Sequence, residues 1–232
     1  TTDVALVGTL AGADVDGDTL VYGIDGGTDA GATVTMDGVY GTLTVTKATG
    51  AYVYTKNAAA IEALDDGATP SDVFVVTVSD GDDGVVAETF TVDITGMDDA
   101  PTLGATTASV AEIRLASTTT DVDLTGTLPG ADVDSGDTLT YGITGGVDGG
   151  ATVSIVGTYG TLTVTKATGA YSYVKNAAAI EALDDGATPS DVFTVTVSDG
   201  DDGDVSNTFT VNVTGADDAP TLAAVTSGSV AE

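Results

Sequence analysis

The sequence repeats itself with a period of about 119 residues, and this repeat limits the possible folds more than any other feature. The segment Lys56 to Phe74 recurs without change as Lys175 to Phe193, and Gly41 to Tyr52 recurs as Gly160 to Tyr171. Solenoid repeats have periods of about 20–50 residues, so a period this long indicates that each copy is a whole domain. We therefore predict one domain over residues 1–100, a second over 101–220, and a linker with the first strand of a following repeat over 221–232.

Within each copy, short segments of alternating apolar and polar residues are separated by turns rich in glycine and aspartate. Leu20, Tyr22 and Ile24 share one face of such a segment, and Asp37-Gly38 is a hairpin turn signal between two more. About seven strands per copy, with turns every 8–12 residues, predict an antiparallel Greek-key β-sandwich. The Ala-rich segment after Asn57 breaks this pattern and predicts one short helix with Asn57 as its N-cap. The predicted fold is all-β, with two tandem sandwiches that each carry one short helix.

A short segment between the copies predicts how each domain begins. Ser109 to Glu112 reads S-V-A-E and has the pattern of a first strand, and the same four residues recur as Ser229 to Glu232. No counterpart stands ahead of the first repeat in this sequence. We expect either an incomplete first sandwich or a C-terminal strand of a neighbouring chain in the vacant place.

The charge balance excludes several classes of function. The chain carries 36 acidic and five basic residues, for a net charge of −31. Such a chain leaves phosphate charge unneutralised, which excludes nucleic-acid binding and disfavours an anionic membrane surface. It has no cysteine, so neither disulfides nor thiol chemistry is available. The absence of histidine and cysteine removes the commonest catalytic bases and nucleophiles, and we expect no enzyme activity.

The acidic residues concentrate at turns, most densely between residues 98 and 137. Three groups lie there: Asp98-Asp99, Glu112, and Asp132 with Asp134 and Asp137. Closely packed carboxylates repel one another, and a hard cation such as calcium, which takes about six to eight oxygen ligands, offsets that repulsion. The pattern therefore predicts calcium at this junction. The alternative is that the acidity serves only solvation in a salty environment.

The first repeat contains the same kind of Asp-x-Asp turn at Asp14-Val15-Asp16. Its opening spacing matches an EF-hand loop, but the glycine at the sixth position and the glutamate at the twelfth are missing. A strand pattern follows in place of a helix. An EF-hand is therefore not expected.

Several motifs together resemble the cadherin-like tandem sandwiches of large bacterial surface proteins, close to the VCBS-type repeats of RTX adhesins. They are T-G-A-D-D-A-P at 214–220, V-S-D-G-D at 197–201, A-D-V-D-S-G-D at 131–137, and Y-G-T-L-T-V at 40–45 and 159–164. The resemblance covers nearly the whole chain and implies Ig-like/cadherin-like sandwiches with calcium at the seam between successive domains.

The resemblance also implies particular ligands. The seam site would use Asp98, Asp99, Asp132, Asp134 and Asp199, and the strand-A glutamate of the family corresponds to Glu112 and Glu232. Asp65-Asp66-Gly67 and Asp184-Asp185-Gly186 stand where cadherins carry an Asp-x-Glu pair, so the glutamate of that pair is missing. The complete set of candidate calcium ligands is Asp14, Asp16, Asp65, Asp80, Asp98, Asp99, Glu112, Asp132, Asp134, Asp184, Asp199, Asp217, Asp218 and Glu232.

Two functions remain in competition. The first is a calcium-rigidified extender (stalk) repeat of a secreted bacterial cell-surface adhesin, and the near-identity of the two copies favours it. Its partners are the neighbouring repeats of the same polypeptide, and we expect a monomer in a linear array. The alternative is an adhesion module that binds carbohydrate or protein through its own surface. The tyrosines that such a module could use alternate on strands, which favours core packing.

Overall fold

A computed structural model describes residues 4–82, 84–114, 123–201, 203–225 and 228–229 of the chain. The candidate ligand Glu232 lies outside these residues. The prediction of an all-β fold with two short helices is confirmed. Among the described residues, no helix is both long enough and apolar enough to cross a membrane. The chain divides into two compact units, which are residues 1–99 with 133–137, and residues 100–132 with 138–232.

The first unit contains eight strands and one helix among its described residues. They are β1 (Leu6–Thr9), β2 (Val21–Ile24), β3 (Thr28–Asp29), β4 (Thr33–Asp37), β5 (Gly41–Thr46), β6 (Ala51–Lys56), α1 (Ala58–Glu62), β7 (Ser71–Ser79) and β8 (Val85–Asp93). One sheet has the order β1-β6-β5-β4-β3 and the other has the order β2-β7-β8. Every pairing in the two sheets is antiparallel.

The second unit repeats this arrangement and adds strands. Its elements are β9 (Thr102–Leu103), β10 (Thr106–Ala111), β11 (Leu124–Thr127), β12 (Gly130–Ala131), β13 (Thr140–Ile143), β14 (Val147–Asp148), β15 (Thr152–Val156), β16 (Gly160–Thr165), β17 (Ala170–Lys175), α2 (Ala177–Ile180), β18 (Ser190–Ser198) and β19 (Val205–Thr214). The sheets have the orders β11-β17-β16-β15-β14 and β10-β19-β18-β13, and β12 pairs with β9.

The main difference between the units is the strand β10, which carries the predicted first strand of the second domain. It pairs with β19 in the parallel direction, and Val110 lies opposite Val213. Val110 is buried in the core of the second unit together with Val213 and Phe209. In the part of the first unit that the structure describes, no strand pairs with the outer edge of β8.

The alternating sequence pattern produces the core of each sandwich. Along β5, the burial alternates with every second residue, so that Leu43 and Val45 are fully buried. Leu162 and Val164 occupy the same positions on β16. This period of two is expected for a strand with one face on the core. The strand geometry thus follows directly from the sequence.

Candidate metal centre

The helix α2 positions one carboxylate of the candidate site, that of Glu181. Asn176 caps the helix, since its side chain accepts a hydrogen bond from the Ala179 N–H at 3.4 Å. Ile180 is completely buried and anchors the last turn of the helix in the core. Glu181 is the C-cap residue that follows it. Because Ile180 is fixed, the neighbouring Glu181 side chain is held at the edge of the core.

The strand β10 positions a second carboxylate, that of Glu112. Parallel pairing continues past the strand, since the Glu112 N–H donates to the Thr214 carbonyl oxygen at 2.9 Å. The Glu112 side chain is 8% exposed, and its Oε2 accepts a hydrogen bond from the Ala216 N–H at 2.9 Å. This contact joins the glutamate to the D-D-A-P linker that follows β19. Glu112 is therefore fixed at both its backbone and its side chain.

Glu112, Glu181 and Asp218 form a cluster in the second unit, which we call the unit 2 carboxylate cluster. Each offers an oxygen, and the three oxygens lie within 4.8 Å of one another. Oε1 of Glu112 and both carboxylate oxygens of Glu181 are buried, and they have no hydrogen-bond partner among the described residues. Burial raises the pKa of Glu181, and the negative charges of Asp218 and Glu112 raise it further. The folded chain thus holds three acidic groups together, and three of their buried oxygens have no hydrogen-bond donor among the described residues.

Two other buried carboxylates show what a fully satisfied acid looks like in this fold. Asp191 accepts hydrogen bonds from the N–H groups of Thr158 and Tyr159, both at 2.9 Å, and from the Tyr173 hydroxyl at 2.6 Å. Asp72 makes the corresponding three contacts in the first unit. Burial raises the pKa of Tyr173, and its bond to Asp191 raises it further. These aspartates are structural and need no cation.

Asp98, Asp134 and Asp137 form a second cluster, which we call the unit 1 carboxylate cluster. Their oxygens also lie within 4.8 Å of one another. Asp134 is 7% exposed, and its Oδ2 accepts a hydrogen bond from the Asp99 N–H at 2.7 Å. The loop at 133–137 belongs to the first compact unit, although it is part of the second sequence repeat. Carboxylates from both repeats therefore meet within one compact unit.

One backbone hydrogen bond and one pair of acids lie beside the unit 1 carboxylate cluster. The Ser135 N–H donates to the Ala63 carbonyl oxygen at 3.2 Å, which attaches the loop to the end of α1. Burial raises the pKa of the neighbouring Asp99, and the charges of Glu62 and Asp134 raise it further. Glu62 and Asp99 are the counterparts of Glu181 and Asp218, each 119 residues earlier. The same pair of acids therefore approaches in both repeats.

The remaining predicted ligands have other surroundings. Asp14 uses Oδ1 to accept hydrogen bonds from the N–H groups of its own turn, and Asp80 and Asp199 each accept one from the residue two positions on. Asp132 and Asp199 are half-buried and belong to the second unit. The exposed candidates are Asp16, Asp65, Asp184 and Asp217.

Sequence reasoning left Glu62 and Glu181 out of the set of ligands and mentioned Asp137 only as a neighbour. The signal for the glutamates is present, since each is the only charged residue in the segment A-A-A-I-E-A-L. Glu181 stands three residues before Asp184 at the end of α2, and its carboxylate is the one that approaches Glu112 and Asp218.

The donor sets of both clusters suit a hard divalent cation. Calcium prefers carboxylate and carbonyl oxygens and accepts several at once. The buried oxygens of Glu112 and Glu181 lack hydrogen-bond donors among the described residues, and a cation would satisfy them. No nitrogen or sulfur ligand is available from histidine or cysteine, which the chain lacks. The residues present therefore fit calcium.

Comparison with solved structures gives matches of low sequence identity. The chain is similar to human CDH23 EC21-23, with 15% identity and a TM-score of 0.43, over 89% of this chain and 66% of that chain. It is also similar to mouse Cadherin-23 EC22-24, with 15% identity and a TM-score of 0.36, over 87% of this chain and 53% of that chain. The third similar structure is that of protocadherin gamma B2 extracellular cadherin domains 3-6, with 15% identity and a TM-score of 0.35, over 86% of this chain and 43% of that chain. The chain spans less than two thirds of each of these chains.

Comparison with known families identifies the chain more directly. No curated protein matches it. The family model for the bacterial cadherin-like domain matches residues 98–215, which is just over half of the 232 residues. The matched segment contains β10, α2 and β19, and it ends just before the linker that holds Asp218. The chain belongs to the family of bacterial cadherin-like domains.

Proposed function

We propose that this chain is a calcium-rigidified extender segment of a large bacterial cell-surface adhesin. One observation carries the proposal: the buried carboxylate oxygens of Glu112 and Glu181 that have no hydrogen-bond donor among the described residues. A fold that satisfies Asp72 and Asp191 with three donors each leaves these acids unsatisfied. Such a site is unfavourable when it is empty and favourable when calcium is bound.

In the second unit, Glu112, Glu181 and Asp218 would hold the ion. Bound calcium supplies positive charge that offsets the repulsion among the three acids. The three ligands come from the end of β10, the end of α2 and the linker after β19. Binding one ion would therefore fix the linker to two elements of the sandwich, because the carboxylate of Asp218 could no longer move independently.

In the first unit, the same chemistry would act on segments from both sequence repeats. Asp98 and Asp99 lie in the linker at the end of the first repeat, and Asp134 and Asp137 lie in the loop of the second repeat at 133–137. Calcium held by this set would tie that loop to the linker. Without calcium, repulsion among the acids would loosen the contact between the linker and the loop at 133–137. The free energy of calcium binding would therefore stabilise the rigid arrangement of these two segments.

The function also implies where the protein acts and what surrounds it. The match to the bacterial cadherin-like domain suggests an extracellular structural or adhesion role. We propose secretion to the bacterial cell surface, with the neighbouring repeats of the same polypeptide as the direct partners. Repetition of nearly identical units suits a stalk, since a stalk needs length and stiffness rather than a unique binding surface.

The alternative of a carbohydrate- or protein-binding module finds less support. The tyrosines that could form an aromatic platform are used in packing. Tyr54 and Tyr173 are almost completely buried, and Tyr52 and Tyr171 pack edge-on against Phe90 and Phe209 at ring distances of 4.9 and 4.8 Å. No described feature favours this second function, and we keep the extender as the proposal.

Thermal unfolding of the chain in EDTA and in millimolar calcium, at matched ionic strength, tests the proposed function. We expect a large increase in Tm with calcium and a small one with sodium or magnesium at the same ionic strength. Isothermal titration on the same samples counts the ions. Equal Tm values in all conditions would contradict the proposal and leave solvation as the role of the acidic turns.

A further inference from the structure

The outer face of the five-stranded sheet in the second unit has a regular row of small side chains. The row crosses all five strands through the paired residues Thr125, Ser172, Thr163, Ser154 and Val147. These side chains point away from the core, since the alternate residues of β16 fill the core. We call this row, together with the other outward residues of the same five strands, the unit 2 outer face.

The unit 2 outer face is uncharged in a chain whose net charge is −31. At the outward positions of its five described strands, the residues are threonine, serine, alanine and valine. The charged residues of these strands are Asp148 and Lys175, and each is the last residue of its strand. Asp148 forms an ion pair with Lys166 at 2.8 Å. The acidic clusters of the chain therefore lie outside this face.

Exposed apolar side chains are concentrated on the same face. Among the described strands of the second unit, the large apolar residues that are exposed are Val147, Val156, Val174 and Val192. The first three lie on the unit 2 outer face and are 72%, 79% and 50% exposed. Val156 and Val174 both pair with Thr161 and form a second row beside the central one. An exposed surface with apolar residues and no charge is typical of a contact between proteins.

The first unit has a corresponding surface, which we call the unit 1 outer face. Its central row contains the paired residues Thr28, Thr35, Thr44, Val53 and Val7. At the outward positions of its described strands, the one charged residue is Asp37, at the end of β4. Asp37 accepts a hydrogen bond from the Thr42 hydroxyl at 2.7 Å. The uncharged face is therefore a property of the repeat rather than of one copy.

The distribution of charge determines which partner fits these faces. A basic partner would bind the acidic turns rather than an uncharged sheet face. Two copies of this chain repel each other wherever their acidic turns approach, and the repulsion is smallest between the uncharged faces. We propose that two copies of this chain associate, sheet against sheet, through their outer faces. Thr163 lies in the central row of the middle strand, so a two-fold axis between two unit 2 outer faces passes near it.

The size of an outer face determines the strength of this contact. Strands lie about 4.8 Å apart and rise about 3.4 Å per residue, so five strands of about five residues cover about 400 Å². A stable complex buries about 800 Å² on each partner, so one outer face supplies about half of the area that is needed. The contact is therefore weak, and we expect a monomer at micromolar concentration and association at millimolar concentration. Repetition of the face along an array of repeats strengthens such a contact.

The effect of salt distinguishes this contact from one made by the acidic turns. Two chains with a net charge of −31 repel each other, and the screening length falls from about 10 Å at about 0.1 M salt to about 3 Å at about 1 M. Association through the outer faces should therefore increase with NaCl. A contact that calcium ions form between acidic turns would instead disappear in EDTA. The outer-face contact does not rest on the proposed calcium function, and measurement in EDTA separates the two.

The test is sedimentation equilibrium of the full chain in EDTA, at low and at high NaCl, up to millimolar concentration. We expect a mass above that of the monomer at high NaCl. The double substitution Thr44→Asp with Thr163→Asp places a carboxylate at the centre of each outer face and should weaken association at least about tenfold. Thr91→Asp with Thr210→Asp is the matched control. It makes the same change on the outer side of β8 and β19, and it should leave the association unchanged.

A charge exchange tests whether the outer faces meet each other. The chain with Thr44→Lys and Thr163→Lys should form a mixed dimer with the chain that has Thr44→Asp and Thr163→Asp, because opposite charges then meet at the centre of the contact. Each of the two variants alone should remain monomeric. A mixed dimer also shows that both variants are folded, since the contact requires intact sheets.

Several results would overturn the outer-face contact. One is a wild-type chain that stays monomeric at millimolar concentration and high NaCl, and another is the absence of the mixed dimer. Association that the control substitutions weaken as much as Thr44→Asp with Thr163→Asp would place the contact elsewhere on the sandwich. Association that EDTA abolishes would place it at the acidic turns and would support the calcium proposal alone.

Discussion

At the scale of single residues, buried carboxylates in this chain differ in whether hydrogen-bond donors surround them. Asp191 receives three hydrogen bonds in the core. Glu181 has two buried oxygens without a donor among the described residues, and two acids approach it. A buried unsatisfied charge is unfavourable unless a cation joins it. The difference favours Glu181 as a ligand of the proposed calcium site and a structural role for Asp191.

The substitution Glu181→Gln tests the role of this side chain. In EDTA we expect a higher Tm than for the wild type, because one of three repelling charges is removed. In calcium we expect most of the metal-dependent gain to disappear, which for one site at about a hundredfold excess over its Kd is about 2.7 kcal/mol. Glu88→Gln, at an exposed position on β8, is the control for charge alone. An unchanged calcium response in Glu181→Gln would exclude this residue as a ligand.

The raised pKa values of Glu181 and Asp99 predict an unusual dependence of stability on pH. A raised pKa means that the folded chain binds protons more tightly than the unfolded chain does. Stability then falls as the pH rises through the interval above the ordinary value of about 4.3 for glutamate. In EDTA we therefore expect the midpoint of urea unfolding to increase when the pH is lowered from neutral to about 5.

The control for this pH dependence is Glu181→Gln, which should show a smaller increase on acidification. Asp29 and Asp148 act in a separate interval. Hydrogen bonds from Lys47 and Lys166, respectively, lower their pKa values, so their contribution is lost only below about pH 4. A midpoint that falls between neutral pH and pH 5 in EDTA would contradict the raised pKa values.

At the scale of elements, buried hydrogen bonds connect strands that are distant in the sequence. Asp191 on β18 binds the turn between β15 and β16 and the Tyr173 hydroxyl on β17. We expect Asp191→Ala to lower the free energy of unfolding by about 2–5 kcal/mol, since three donors, among them the buried Tyr173 hydroxyl, lose their acceptor. Urea unfolding in EDTA and in calcium provides the measurement. The loss should be the same in both, and a loss confined to calcium would indicate that Asp191 acts through the metal.

The elements themselves could be predicted from the sequence because their signals are local. Asp37-Gly38 and the alternation of Leu43 and Val45 define the β4–β5 hairpin, and Asn57 caps α1 as expected. The sequence analysis did not include the short strands β3 and β14, which lie between glycines. Two-residue strands depend on a neighbouring strand rather than on their own sequence.

The candidate site could be predicted only in part, because it depends on long-range contacts. Dense acidic turns and repeated motifs indicated Glu112 and Asp218, and the structure brings them together across 106 positions of sequence. Glu181 escaped notice because an Ala-rich segment indicated a helix that only fills the core. Sequence periodicity gives the face of a helix, whereas the direction of the residue at its end depends on how the helix packs.

At the scale of the whole molecule, two nearly identical sequences form sandwiches of different completeness. The second unit includes β10 and buries Val195, Val197 and Phe209 completely. The first unit shares most of the sequence of the second but has no strand beside β8 among its described residues. The sequences of β7 and β18 are thus nearly the same, while the burial of their core residues differs. The second unit has β9 and β12 as well as β10, without counterparts among the described strands of the first unit, so the difference in burial reflects several added strands.

Native-state hydrogen exchange measures the contribution of these added strands within a single sample. We expect the slowest amides of β7 and β8 to exchange faster than those of β18 and β19, because the core residues of β7 and β8 are less buried. Full burial of a valine side chain contributes about 1.5–3 kcal/mol, which corresponds to a tenfold to hundredfold difference in rate. The second unit is the control, since it experiences the same temperature, pH and calcium. Equal protection of the two units would show that the added strands of the second unit contribute nothing to stability. The half-buried valines of β7 would then have to be stabilised by contacts within the first unit alone.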